Sequence, residues 1–215
     1  MYPAGNIFIS VAHGQLEAIL KEPTKEPVGS ALVLHPLPTG GGTMHNKVVF
    51  RAAAALNETG LTTLRINFRG VGQSSGTFDE GKGELEDSRD ALNYLIQNYP
   101  KSPLIVCGFS FGARVGMETG IADDRVDYLI SLGTPLDKYD FNFLTMCRKP
   151  ILFVHGELDE FGASERMEAL IRELEPKAEV RLVIIPHADH FFEGHLNEVK
   201  KAIFDWVTIQ LSKRQ

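Results

Sequence analysis

Residues 103–112 read Pro-Leu-Ile-Val-Cys-Gly-Phe-Ser-Phe-Gly. The run Pro103–Gly108 is short and apolar, the pattern of a strand buried on both faces. Residues 108–112 then form Gly-Phe-Ser-Phe-Gly, a G-x-S-x-G pattern. Phe111–Ile121 has helical spacing, so the pattern sits where a buried strand becomes a helix. That context implies a sharp turn with Ser110 strained at its apex and its hydroxyl projecting outward. Glycine is required at 108 and 112 because side chains there would meet neighbouring backbone. Ala113 and Gly116 keep the helix thin where it meets the sheet. Five residues are a weak signal in a chain with 20 glycines; their position between strand and helix makes Ser110 a candidate nucleophile.

Strands and helices alternate on either side of this turn. Asn6–Ala12 and Gln15–Leu20 flank His13-Gly14 and predict an antiparallel hairpin. Ala31–His35, Thr62–Phe68, Val126–Leu132, Pro150–His155 and Glu179–Ile185 read as further strands. Helices are predicted over Met44–Glu58, Glu84–Asn98, Ala163–Glu175 and Leu196–Leu211, the first ended by Gly60. The acidic first turn of the second, Glu84, Glu86 and Asp87, reads as a solvated helix start on the favourable end of the dipole. A hairpin followed by β-α-β units predicts an α/β fold: a mostly parallel, eight-stranded sheet with helices on both faces. With no repeat or long linker, residues 1–215 read as one domain. Ligands in such sheets bind beyond the carboxyl ends of the strands.

The 215 residues carry a net charge of −6, with 43% hydrophobic and 23% charged residues. This is the composition of a globular chain, and it gives no basic face for nucleic acid or an anionic membrane. Two cysteines, Cys107 and Cys147, are too few for a disulfide framework or a zinc site, and Cys107 lies in an apolar run. Met1–Ser10 lacks the basic and apolar regions of a secretory leader, and no apolar run is long enough for stable membrane insertion. The expected location is cytoplasmic and the expected state a monomer or weak homodimer.

A serine hydroxyl needs a base beside it. Of seven histidines, His13 falls in the hairpin turn, His35 and His155 end strands as loop-shaping residues, and His45 opens a helix. His187, His190 and His195 follow the last strand. His190, in Ala-Asp-His-Phe-Phe (188–192), has enough loop before it to reach over Ser110; His187 is the runner-up, and His195 begins the final helix. The acid that orients the base is Asp159 in His-Gly-Glu-Leu-Asp (155–159), with Glu157 and Glu160 as rivals read as surface charge. The chain order Ser110, Asp159, His190 distinguishes this arrangement from other triad orders.

An oxyanion hole requires two N–H donors. One is the backbone N–H of Phe111. The other comes from His-Pro-Leu-Pro-Thr-Gly-Gly-Gly (35–42), where Pro36 and Pro38 have no N–H and Leu37 between them can donate. Gly40-Gly41-Gly42 is not followed by the Lys-Ser/Thr of a phosphate loop. Gly133–Lys149 is too short for a helical cap, so the site is expected to be open. Phe109 and Phe191, with Phe111, Phe192, Phe141 and Phe143 as further candidates, would line an apolar acyl pocket. Arg69, at a strand end in Asn67-Phe68-Arg69-Gly70, either binds a substrate carboxylate or pins neighbouring loops, and pinning is the favoured reading.

Taken together, 35–47, 67–76 (Asn-Phe-Arg-Gly-Val-Gly-Gln-Ser-Ser-Gly), 108–112, 155–159 and 188–192 make the chain resemble the α/β-hydrolase superfamily over nearly its full length. Within it, the chain looks like the small, lidless bacterial hydrolases related to dienelactone hydrolases. The resemblance implies Ser110, Asp159 and His190 as the triad, and donors near Leu37 and at Phe111. Pro36 departs from the glycine that many members carry after the histidine. True dienelactone hydrolases use cysteine as nucleophile, so their substrate is not carried over. The expected activity is cleavage of small or medium acyl esters through an acyl-enzyme, with no metal or cofactor. Thioester and peptide hydrolysis use the same groups, as would a cofactor-free perhydrolase. A non-catalytic binding protein on this fold is the alternative from a different class.

Overall fold

A computed structural model describes residues 5–214; the sequence reading of Met1–Ser10 falls partly outside them. Eight strands form one sheet in the order β1-β2-β4-β3-β5-β6-β7-β8. β1 (Asn6–Val11) pairs antiparallel with β2 (Gly14–Lys21), and β2 antiparallel with β4 (Leu61–Ile66). All other pairings are parallel, linking β4, β3 (Gly29–Leu34), β5 (Leu104–Phe109), β6 (Tyr128–Leu132), β7 (Ile151–Gly156) and β8 (Val180–Ile185). Strand bounds differ from the sequence reading by one or two residues, as expected where ladders fray.

Alternation along the strands builds two cores. Leu104 and Val106 of β5 face a core shared with α2 (Lys82–Asn98), α3 (Phe111–Ala122) and α4 (Ser164–Leu174). Ile105, Cys107 and Phe109 face the other core, shared with α1 (Lys47–Glu58) and α5 (Leu196–Ser212). Cys107 is fully buried, and burial pushes its thiol pKa up, as suits a core side chain.

Helix starts depart from the sequence reading for identifiable reasons. α1 begins at Lys47, not Met44, because Asn46 Oδ1 accepts from the N–H of Val48 (2.9 Å) and caps the helix. Met44 is instead fully buried, its N–H donating to Asn67 Oδ1. Of the acidic start of α2, only Glu86 is solvated. Glu84 and Asp87 are fully buried. Glu84 accepts from the N–H groups of Gly81 (2.7 Å) and Asp79 (3.0 Å), closing the helix start. Asp87 accepts from the backbone N–H of Arg69 and from its guanidinium, at 2.8–3.0 Å. Arg69 also reaches Glu86, so it pins the loop after β4 to α2.

Register places the working edge. Leu34 lies level with Gly108, and Phe109 with Leu132. The loops after β3, β5, β6, β7 and β8 therefore emerge along one edge. His35 and His155, both fully buried, shape two of them. His35 Nδ1 lies 2.6 Å from Pro36 O, while Nε2 accepts from the N–H of Phe68 at 3.0 Å, tying the β3 loop to the β4 loop. His155 Nε2 lies 2.5 Å from Gly162 O. The connection from β6 to β7 holds a 3₁₀ turn over Asn142–Met146 and no cap helix.

The turn at Ser110 depends on two close approaches. A Cβ on Gly108 would lie 2.1 Å from Gly112 O, and one on Gly112 would lie 2.5 Å from the carbonyl oxygens of both Leu34 and His35. Backbone on either side cannot retreat without parting helix from sheet. Gly112→Ala and Gly108→Ala are each expected to cost about 3 kcal/mol or more, read as a fall in the urea midpoint; a wild-type midpoint for Gly112→Ala would refute the packing argument. His35 generates a second expectation. Desolvation lowers its pKa to about 4 from an ordinary 6.5. Between those values the unfolded chain binds a proton that the folded one does not, so stability falls as pH drops through that window. The slope from this one group is about 1.4 kcal/mol per pH unit. Urea titrations of His35→Gln should show a pH dependence shallower than wild type by about one proton; equal slopes would remove His35 from the account.

Candidate active site

Ser110 stands between β5 and α3 with φ 56° and ψ −119°. For a residue with a side chain this conformation costs about 1–3 kcal/mol and persists only when its surroundings impose it. Here both flanks are held. The Ser110 N–H donates to Leu132 O (3.0 Å), and its carbonyl accepts from Ala113 and Arg114 (2.9 and 3.2 Å).

The loop after β8 carries His190 to this apex. Its turns use a left-handed His187 (φ 61°) and Phe192 (φ 53°). His190 Nε2 lies 2.8 Å from Ser110 Oγ. Its Nδ1 lies 2.8 and 3.0 Å from the two carboxylate oxygens of Asp159. Asp159 is held in turn by the N–H of Phe161, 2.8 Å from Oδ1. The ring of His190 is hemmed by Phe161 (centroids 4.6 Å apart), Phe109 (5.2 Å) and Phe191 (5.2 Å). The His190 side chain is 1% exposed. Aromatic walls and a two-oxygen partner leave the imidazole little freedom to turn.

The rivals have other partners. Glu157 accepts the N–H of His187 at 2.7 Å, and Glu160 that of His190 at 3.3 Å. Both therefore brace the histidine loop. His195 precedes α5 as its cap residue. His155 Nε2 lies 3.7 Å from Asp159 Oδ2, the oxygen that also meets His190 Nδ1 at 2.8 Å, and burial lowers the His155 pKa, which keeps that ring uncharged.

Above Ser110 is a cavity of about 410 Å³ bordered by Leu37, Lys138, Tyr139, Phe161, His190 and Phe191, among others. Leu37 precedes a 3₁₀ turn over Pro38–Gly40, its carbonyl accepting from Gly40 and Gly42. The three glycines are thus part of a folded turn rather than a linker. The N–H groups of Leu37 and of Phe111, the first residue of α3, have no acceptor among the described residues.

The phenylalanines divide. Phe191 borders the cavity and is 50% exposed. Phe109 does not: strand alternation turns it, with Ile105 and Cys107, into the core beneath His190. It supports the imidazole and cannot touch a ligand in the cavity. Phe111 and Phe192 are buried, Phe141 borders a different cavity, and Phe143 lies under the guanidinium of Arg114. Phe161, Lys138 and Tyr139 complete the wall, and the sequence reading did not name them. The signal for Phe161 is its place two residues after Asp159. Lys138 and Tyr139 lie in an irregular stretch whose course no periodicity predicts. Among the described residues no cluster of three or more His, Cys, Asp or Glu is placed to hold a metal, and no helix is long and apolar enough to cross a membrane.

Comparison with known proteins agrees with this architecture. Residues 33–202 match the alpha/beta hydrolase domain family. An uncharacterized protein of Rickettsia prowazekii (strain Madrid E) is 37% identical over 212 residues, covering 95% of this chain and 89% of the relative. An alpha-beta serine hydrolase homologue from Coxiella burnetii superposes with a TM-score of 0.88 at 35% identity, over 95% of this chain and 98% of that one. A serine hydrolase without a lid from Xanthomonas campestris gives a TM-score of 0.84 at 34% identity, over 94% of each chain. With the strand order, the strand-to-helix turn at Ser110 and the family match in agreement, the chain belongs to the alpha/beta hydrolase family.

Proposed function

We propose that this protein is a serine hydrolase of small or medium carboxylic esters, with Ser110 as nucleophile, His190 as base and Asp159 as the acid that orients it. The observation that carries this reading is the continuous chain of short contacts from Ser110 Oγ through both nitrogens of His190 to Asp159. A buried carboxylate at Nδ1 selects the tautomer with its proton on that nitrogen and leaves Nε2 free to accept.

In this mechanism His190 Nε2 takes the Ser110 proton as Oγ attacks the ester carbonyl. The carbonyl electrons move to oxygen, where the N–H groups of Leu37 and Phe111 receive the negative charge. The tetrahedral intermediate collapses, the ester C–O bond breaks, and His190 returns the proton to the departing alcohol. Water then enters, gives its proton to His190 and attacks the acyl carbon. The second collapse restores Ser110 and releases the acid. Asp159 stabilises the imidazolium in both halves without taking its proton. Leu37, Phe161 and Phe191 supply apolar wall, and a cavity of about 410 Å³ suits an acyl chain of modest length better than an enclosed lipid tail.

Labelling with a fluorophosphonate, followed by mass mapping, should place the adduct on Ser110. Ser110→Ala should lower kcat for 4-nitrophenyl butyrate by about 10⁴-fold or more with its unfolding midpoint intact, since no partial mechanism survives loss of the nucleophile. Asp159→Asn should lower kcat by about 10⁴-fold, with the smaller effect on KM, through the wrong histidine tautomer. An adduct on another residue, or a Ser110→Ala variant of full activity, would sink the assignment.

A further inference from the structure

The cavity above Ser110 has an electrostatic character that the chain as a whole lacks. The protein has 28 acidic residues against 22 basic ones, yet none of the residues bordering this cavity is acidic. Its one lysine, Lys138, is exposed and forms no ion pair among the described residues. The Lys138 ammonium lies 5.0 Å from the ring centre of Phe161, and both residues border the Ser110 cavity. Lys138 also borders a second cavity of about 390 Å³, which contains Glu80, Glu118 and Asp140. Glu118 is paired with Arg114, and neither Glu80 nor Asp140 is in ion-pair contact with Lys138. An ammonium resting on an aromatic face keeps part of its charge uncompensated by any anion.

Neutral donors border the same cavity. Asn46 uses its Oδ1 to cap α1, which leaves its NH₂ as a donor beside the cavity. Burial raises the pKa of the Tyr139 phenol, so its hydroxyl keeps its proton. One monovalent cation in a cavity with neutral donors matches a monoanion such as a carboxylate. The other cation considered for that role, Arg69, is already bonded to Asp87 and Glu86 and borders no part of this cavity.

We propose that Lys138 is a specificity residue that directs the Ser110 site toward esters carrying a carboxylate on the arm remote from the scissile bond. This rests on the reading of Ser110 as a hydrolytic nucleophile and adds a substrate class to it. The contact acts on binding: it steers and anchors the anionic arm while the reacting carbonyl sits at Ser110.

The test compares two esters that differ only in charge, 4-nitrophenyl hydrogen adipate and 4-nitrophenyl methyl adipate. The ratio of their kcat/KM values is taken on each variant, so that a general disturbance of the site cancels. Wild type should prefer the anionic ester by up to about five-fold at low ionic strength, as fits an exposed ion pair, and the preference should shrink with added salt. Lys138→Arg should keep it, Lys138→Met should bring the ratio to about one, and Lys138→Glu should invert it. A wild-type ratio of one or less, or the same ratio in wild type and Lys138→Met, would overturn the inference while leaving the hydrolase intact. Turnover of neither ester by wild type would instead overturn the hydrolase reading. The anion site is then judged by NMR titration with monomethyl adipate against dimethyl adipate: binding of the acid alone that vanishes in Lys138→Met upholds it, and equal binding of the two refutes it.

Discussion

At Gly112 the first turn of α3 approaches the end of β3 so closely that one added methyl would lie 2.5 Å from two carbonyl oxygens. This contact is backbone against backbone, so no side-chain rearrangement can relieve it. It holds α3 down on the sheet and leaves a single residue, Ser110, to make the whole change of direction from β5. The positive φ at Ser110 follows from that geometry. The same contact sets the end of β3 beside the start of α3, the two segments that lead to Leu37 and Phe111. Strain at one residue is therefore sustained by tight packing at another.

The loops around Ser110 are held less by apolar packing than by buried polar groups. Glu17, 8% exposed, accepts from the side chain of Asn67 and the N–H of Gln73, fixing the segment after β4 to the hairpin. Asp87 holds the same segment from the helix side through Arg69. His35 and His155 do comparable work at the ends of β3 and β7. Each bond adds only about 0.5–1.5 kcal/mol net between neutral groups and about 1.5–3 kcal/mol to a charged one, but leaving one of these buried groups unpaired would also cost its desolvation. Irregular backbone is thus tied at several points, which suits a site whose donors must be aligned before substrate arrives.

Much of this was legible in the sequence, because the signals were local. Apolar runs bounded by turn residues mark buried strands, and the glycines of 108–112 mark a close approach, so strand count, sheet type and the Ser110 turn could all be read directly. His190 and Asp159 were legible as well, since a mostly parallel sheet brings the loops after its strands to one edge. What escaped depends on tertiary partners. Glu84 and Asp87 look like a solvated helix start until the loop donors they serve are placed against them. Phe109 looks like a pocket residue until strand alternation is followed into the core beneath His190. Lys138 and Tyr139 lie in a connection without periodicity, where position follows from packing alone.

The connection from β6 to β7 carries one 3₁₀ turn and no cap helix. In the proposed mechanism, an acyl group on Ser110 would lie at this uncapped edge. Bulk water would reach it there at a concentration that dilute alcohols or amines cannot match. Partitioning then favours release of the free acid over transfer to another acceptor. With no cap helix to move, turnover in the proposed mechanism would follow the bond-making steps themselves rather than a slow movement of the chain.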